Sequence, residues 1–99
     1  MAWGVIYHDG VYADLRLLGP AEARTVLAVI TQRIQNGEPD KSGKALAGSL
    51  ADFRRIRTGS TRIVYRVNKK TIEVLVIAVG QRCDAAVYAT AEERSNRTV

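Results

Sequence analysis

The chain has 99 residues, 46% of them apolar, with 15 Lys and Arg against 10 Asp and Glu, a formal net charge of +5. That length suits one compact domain, that apolar share excludes a largely disordered chain, and the basic balance points to a polyanionic partner: nucleic acid, an anionic membrane or an acidic protein. The single cysteine, Cys83, excludes an internal disulfide, argues against a structural zinc site and fits a reducing compartment.

The opening MAWGVIYHDG lacks the basic region, long apolar stretch and cleavage site of a secretory signal, and no later apolar run is long enough to span a membrane. A cytoplasmic protein with no membrane partner is expected. WGVIYH, Trp3 to His8, is aromatic and β-branched and predicts a strand. Asp9 can cap a following helix, in which Val11, Leu15 and Leu18 recur at helical spacing and which Gly19 ends. Pro20 suits the first turn of a second helix, with Ala23, Leu27, Ile30 and Ile34 on one face. NGEPDKSG, residues 36–43, stops it with turn-forming residues. Two helices joined so tightly predict an antiparallel hairpin.

Three strand-like runs follow, at residues 52–57, 61–67 and 71–79. The links TGST and NKK are short enough for hairpins, which predicts an antiparallel meander. TIEVLVIAV is apolar on both faces apart from Glu73, as a central strand would be. DAAVYATAEER, residues 84–94, predicts a terminal helix, and SNRTV, residues 95–99, a frayed tail. The order β-α-α-β-β-β-α describes an α+β domain over residues 1–94. Its small antiparallel or mixed sheet carries the helical hairpin on one face, and all helices are expected on that side.

FRRIRTGSTRIVYRV, residues 53–67, holds five arginines. Side chains alternate across a strand, so parity sorts them. With TGST as a four-residue loop, Arg57 lies opposite Arg62 and Arg55 opposite Val64. Arg55, Arg57, Arg62, Val64 and Arg66 then share one face. Ile56, Ile63, Tyr65 and Val67 share the other and face the helices. Arg54 falls on the apolar side, which implies either a sheet edge or a bulge. Glu73 falls on the Arg66 side, where it could form a cross-strand ion pair. A solvated, solubilising face is the plain reading. Arg55, Arg57 and Arg62 have no carboxylate on neighbouring strands, however, and an anion from outside accounts better for them. Guanidinium binds phosphate in a bidentate way, and a sheet rather than a helix suits single-stranded nucleic acid or a phosphate held for chemistry.

RIRTGSTRIVYRV, followed by VLVIAVGQR and AVYATA, resembles the RelE/ParE superfamily of bacterial toxin–antitoxin toxins. The resemblance covers nearly the whole chain and includes Lys44, Leu46 and Gly48 before the second predicted strand. It implies a small sheet with helices on one face, and it implies a choice. RelE-like members are ribonucleases that cut mRNA on the ribosome; ParE-like members poison DNA gyrase and generally lack the ribonuclease residues. The RelE-like site uses two basic residues on the second strand, an Arg on the third, an Arg after the last strand and a C-terminal Tyr. Arg55 and Arg57, Arg62, Arg82 and Tyr88 match those positions, so the resemblance is closer to the ribonucleases. The second-strand pair is often Lys in the family, and Thr61 replaces an aromatic residue.

The resemblance therefore implies an endoribonuclease that needs no cofactor and no metal, with mRNA, the ribosome and a cognate antitoxin as partners. Arg62, Arg82 and Tyr88 would be catalytic, and Arg55, Arg57 and Lys44 would hold RNA phosphates. A gyrase inhibitor and a bare RNA-binding module are the alternatives. Other chemistry is weakly represented. His8 is the only histidine and reads as a strand-end or capping residue. Cys83 has no evident His partner, the aspartates show no metal-ligand spacing, and GKALAGS lacks the Walker spacing. Taken without the resemblance, Tyr88 reads as packing on the sheet.

Overall fold

Five strands form one sheet: β1 (Gly4–Tyr7), β2 (Lys44–Ala45), β3 (Phe53–Thr58), β4 (Thr61–Asn68) and β5 (Glu73–Gly80). The computed structural model describes residues 2–81 and 84–97. The spatial order is β1-β5-β4-β3-β2, with β1 parallel to β5 and the other neighbours antiparallel. The doubly apolar β5 is interior, as its composition predicts. β2 was not foreseen, because two residues carry no periodicity.

Helices α1 (Asp9–Leu18) and α2 (Pro20–Val29) meet at Gly19, whose φ of 89° suits glycine. His8, not Asp9, caps α1: its Nδ1 accepts the Gly10 N–H at 3.0 Å. The chain continues from α2 as a π-helical segment, Ile30–Gln35. Val26, Ile30 and Ile34 are buried, but Leu27, expected on that face, is 39% exposed. Successive steps of four residues from Val26 keep one stripe on the core, and Leu27 falls outside it.

The two sheet faces carry separate cores. Ile56, Ile63, Tyr65, Val74, Val76 and Val79 pack with Val11 of α1 and with Val26, Ile30 and Ile34. Phe53, Val64, Ile77 and Ala78 pack with Leu50 and with Val87 and Ala91 of α3 (Asp84–Arg97). The expectation that every helix lies on one side therefore fails for α3, which covers the arginine face. The cause is a bulge. Val64 pairs with Ala78 but Tyr65 with Val76, so Ile77 is the extra residue and both Ile77 and Ala78 join the second cluster. With Val64 they make an apolar patch that a helix must cover. The helix also runs past Arg94 to Arg97, further than the predicted tail boundary at Ser95.

Arg54 sits regularly opposite Tyr65, so no bulge displaces it. It reaches the sheet edge, where its Nε donates to the Ser42 carbonyl at 2.8 Å. The Tyr65 hydroxyl lies 2.8 Å from the Pro39 carbonyl and 3.0 Å from that of Ser42, tying the loop before β2 to the sheet. β5 starts two residues later than expected. Asn68 Oδ1 accepts from the Lys70 and Thr71 N–H groups and holds them in the turn. The turn sets Glu73 opposite Asn68 and Leu75 opposite Arg66, while Arg66 lies over the Phe53 ring, 5.6 Å from its centroid.

One edge of β5 is finished by side chains. Parallel pairing with β1 stops at Tyr7–Val76, and the His8 N–H makes the last bond, to Val76 O. Beyond it the Val79 N–H donates to Asp14 Oδ2 at 3.0 Å, and Arg94 Nη1 donates to the Ile77 carbonyl at 3.0 Å. Arg94 grips both Asp14 oxygens, at 2.6 and 3.0 Å. An ion pair joining α1 to α3 thus completes the strand edge that β1 leaves open.

Candidate nucleic-acid interface

The register places four of the predicted basic residues as two cross-strand rungs. Lys44 stands opposite Arg55, and Arg57 opposite Arg62. The rungs are two residues apart on β3, about 7 Å along the strand. Like charges directly opposed repel, and β2, β3 and β4 contain no Asp or Glu. Lys44 and Arg57 are exposed; Arg55 and Arg62 are half-buried. The Arg55 Nε is buried and has no hydrogen-bond partner. Such a donor costs about 1–3 kcal/mol or more when it is left unmade, so it calls for an acceptor.

Arg62 is oriented by the backbone. Its Nη1 donates to Ser60 O at 2.6 Å and to Gln81 O at 3.1 Å. The second bond fastens the chain leaving β5 to the start of β4. Arg82, predicted to act beside Arg62, lies outside the described residues. Tyr88 is half-buried and packs against the core cluster of Phe53, Val64 and Ile77 on the arginine face. The structure therefore joins Lys44, Arg55, Arg57, Arg62 and Tyr88 on one side of the sheet, with α3 lying across that side. The packing expected of Tyr88 without any resemblance is present as well.

Sequence reasoning missed Asp14 and Arg94, which dock the helix carrying Tyr88. They are 80 residues apart and share no local pattern, so neither carries a signal of the other. Among the described residues no group of three or more His, Cys, Asp or Glu could hold a metal ion, and no helix is long and apolar enough to cross a membrane.

Comparison with known proteins places this geometry in a family. The model of the ParE toxin of type II toxin-antitoxin system, parDE, matches residues 5–85. A chain of the toxin–antitoxin complex RelBE2 from Mycobacterium tuberculosis superposes with a TM-score of 0.77 at 26% identity, over 85% of this chain and 95% of that one. A mutant of the E. coli toxin RelE in the free state matches with a TM-score of 0.76 at 24% identity over 100% of both chains. The isolated E. coli RelE toxin matches with a TM-score of 0.58 at 25% identity, over 95% of this chain and 99% of that one. No curated protein sequence matches the chain.

Proposed function

The chain belongs to the ParE toxin family, within the RelE/ParE superfamily of type II toxin–antitoxin toxins, and from that premise we propose that it is a metal-independent endoribonuclease that cuts mRNA on the ribosome and so inhibits translation in the cytoplasm. The observation that carries this reading is the buried, unpartnered Arg55 Nε on a face whose strands β2, β3 and β4 hold no carboxylate. A phosphate oxygen is the acceptor such a guanidinium fits best.

In the proposed reaction the substrate's 2′-oxygen attacks the adjacent phosphorus and the bond to the 5′-oxygen breaks. The products are a 2′,3′-cyclic phosphate and a 5′-hydroxyl. One proton leaves the 2′-hydroxyl and one reaches the departing oxygen, so the enzyme has two protons to move and a crowded phosphate charge to stabilise. Arg62, preoriented by two carbonyls, stabilises that charge. Tyr88 orients or deprotonates the 2′-hydroxyl, and Arg82 neutralises or protonates the leaving oxygen. Lys44, Arg55 and Arg57 grip flanking phosphates. Guanidinium groups can supply the charge stabilisation that other nucleases obtain from metal ions.

The partner that restrains the toxin is a cognate antitoxin, as in the RelBE2 toxin–antitoxin complex. It neutralises this chain by laying an acidic or amphipathic segment on the basic face, or by displacing the Tyr88 segment. A second reading, a gyrase inhibitor without nuclease activity, is favoured by the match to the ParE model itself. Primer extension on mRNA in translating ribosomes separates the two. Tyr88→Phe keeps the packing and removes one oxygen, and it is expected to cut about 10²-fold more slowly or worse. Cleavage equal to wild type removes Tyr88 from the mechanism. If wild type does not cut but blocks plasmid supercoiling, the gyrase reading takes over.

A further inference from the structure

We propose that the Asp14–Arg94 pair is a latch, reaching around the open edge of β5, that holds α3 closed over the basic face of the sheet. The inference rests on the fold and not on the ribonuclease reading.

The apolar hold of α3 is small. Among its described residues only Val87 and Ala91 are buried, with Tyr88 half-buried beside them. Between α1, the end of β5 and α3 lies a cleft of about 470 Å³, lined by Leu17, Leu18, Val79, Gly80, Val87 and Thr90 among others. Side chains do not fill the space between the two helices, so another contact must span it. Asp14 and Arg94 do so. Their side chains are 12% and 17% exposed and engage in a bidentate pair. Each also bonds the β5 backbone, Asp14 at Val79 and Arg94 at Ile77. A pair so shielded is little screened by salt, and removing one partner takes the bidentate, charge-paired contact from the other.

The helix was given room for this contact. A Cβ on Gly10 would come within 2.5 Å of Arg94 Cζ and 2.6 Å of its Nε and Nη2. Gly10 is in the first turn of α1, where alanine would be the better helix former. Its lack of a side chain is accounted for by the guanidinium beside it.

The consequence lies on the opposite side of the sheet. α3 covers Val64, Ile77 and Ala78, in the middle of the face that carries the two basic rungs, and it carries Tyr88. Opening the latch frees α3 and bares that face, while the ladders β3–β4 and β4–β5 keep their own hydrogen bonds. The hairpin on one face thereby controls access to the other. A contact made of charge is also conditional: a competing group for either partner releases it, as no apolar contact would be released.

Native-state amide exchange on the full chain tests this, with α3 amides 85–96 read against those of β4. Asp14→Asn keeps an acceptor for the Val79 N–H but removes the charge facing Arg94. Gly10→Ala keeps both charges but fills the space that Arg94 occupies. Each is expected to speed α3 exchange by about a hundredfold, with α3 amides still exchanging faster than those of β4, which open only with the whole fold. Arg94→Lys, which keeps the charge but not the bidentate grip, is expected to act in the same direction by about tenfold. In an Arg94→Ala background, adding Gly10→Ala is expected to leave α3 exchange unchanged or slower, because only its helix propensity then remains. The proposal is overturned if Gly10→Ala alone leaves α3 protected. It is equally overturned if α3 and β4 amides exchange at one common opening free energy in the wild type and the variants, or if the variants abolish the fold, since the pair would then support the whole sheet.

Discussion

Neutralising the first basic rung, Lys44→Gln with Arg55→Gln, is expected to change how RNA binding depends on salt. Each phosphate neutralised on a single strand contributes about −0.7 to the slope of log K against log salt, so the four cations of the two rungs predict a slope of about −2.8. Raising salt fourfold, from about 50 to about 200 mM, then weakens wild-type binding roughly 50-fold. Without Lys44 and Arg55 the slope falls to about −1.4 and the same change costs roughly sevenfold. The assay is fluorescence anisotropy on a labelled single-stranded RNA with 2′-O-methyl groups, which cannot be cut. Lys69→Gln with Lys70→Gln is the charge-matched control. Those lysines are exposed in the turn beyond Asn68, about 20 Å along β4 from Arg62 and beyond the ~10 Å screening length. The control is expected to leave the slope unchanged. If the rung variant keeps the wild-type slope, or the control lowers it equally, the rungs are not the phosphate site and binding follows net charge alone.

Tyr65→Phe removes a buried hydroxyl that lies against the Pro39 and Ser42 carbonyls, and it is expected to lower unfolding free energy by about 1–3 kcal/mol in urea titrations; no loss would mean that water replaces it freely. Burial raises the Tyr65 pKa above its ordinary value of 10.0, so the unfolded chain loses this proton first and stability is present below pH 10 and falls as pH rises above it. The phenylalanine variant is expected to flatten that alkaline fall in part, because the Tyr7 pKa is raised by burial as well; an unchanged slope would contradict the assignment. Gly43→Ala places a Cβ 2.3 Å from the Arg55 carbonyl at a φ of 68°. The left-handed conformation alone is expected to cost about 1–3 kcal/mol, and β2 to unpair from β3, which exchange at Ala45 would report; a loss below about 0.5 kcal/mol would show that the loop adjusts.

Much of the fold was written in local pattern. The β-branched and aromatic runs located the three long strands, Gly19 and Pro20 placed the break between the helices, and the short TGST link set Arg57 opposite Arg62. Parity alone then put Arg55, Arg57, Arg62 and Val64 on one face, because a side-chain period of two follows from the backbone. The basic part of the candidate site was legible for that reason. Phe53 and Val64, which parity puts on the same face, were the signs that it was not wholly open.

The sequence by itself did not place α3. Its side of the sheet depends on the bulge that turns both Ile77 and Ala78 toward Val64, and a bulge is a property of pairing between strands, invisible in either strand alone. The Asp14–Arg94 pair depends on β1 ending at Tyr7, which leaves β5 backbone groups for side chains to satisfy. β2 exists because Gly43 lets the chain pass close to Arg55, and Lys44 thereby comes opposite Arg55. What the sequence alone determined was short-range alternation and turn chemistry; what only the tertiary structure decided was which face α3 covers and which distant side chains meet, since these are set by pairing and packing between segments far apart in the chain.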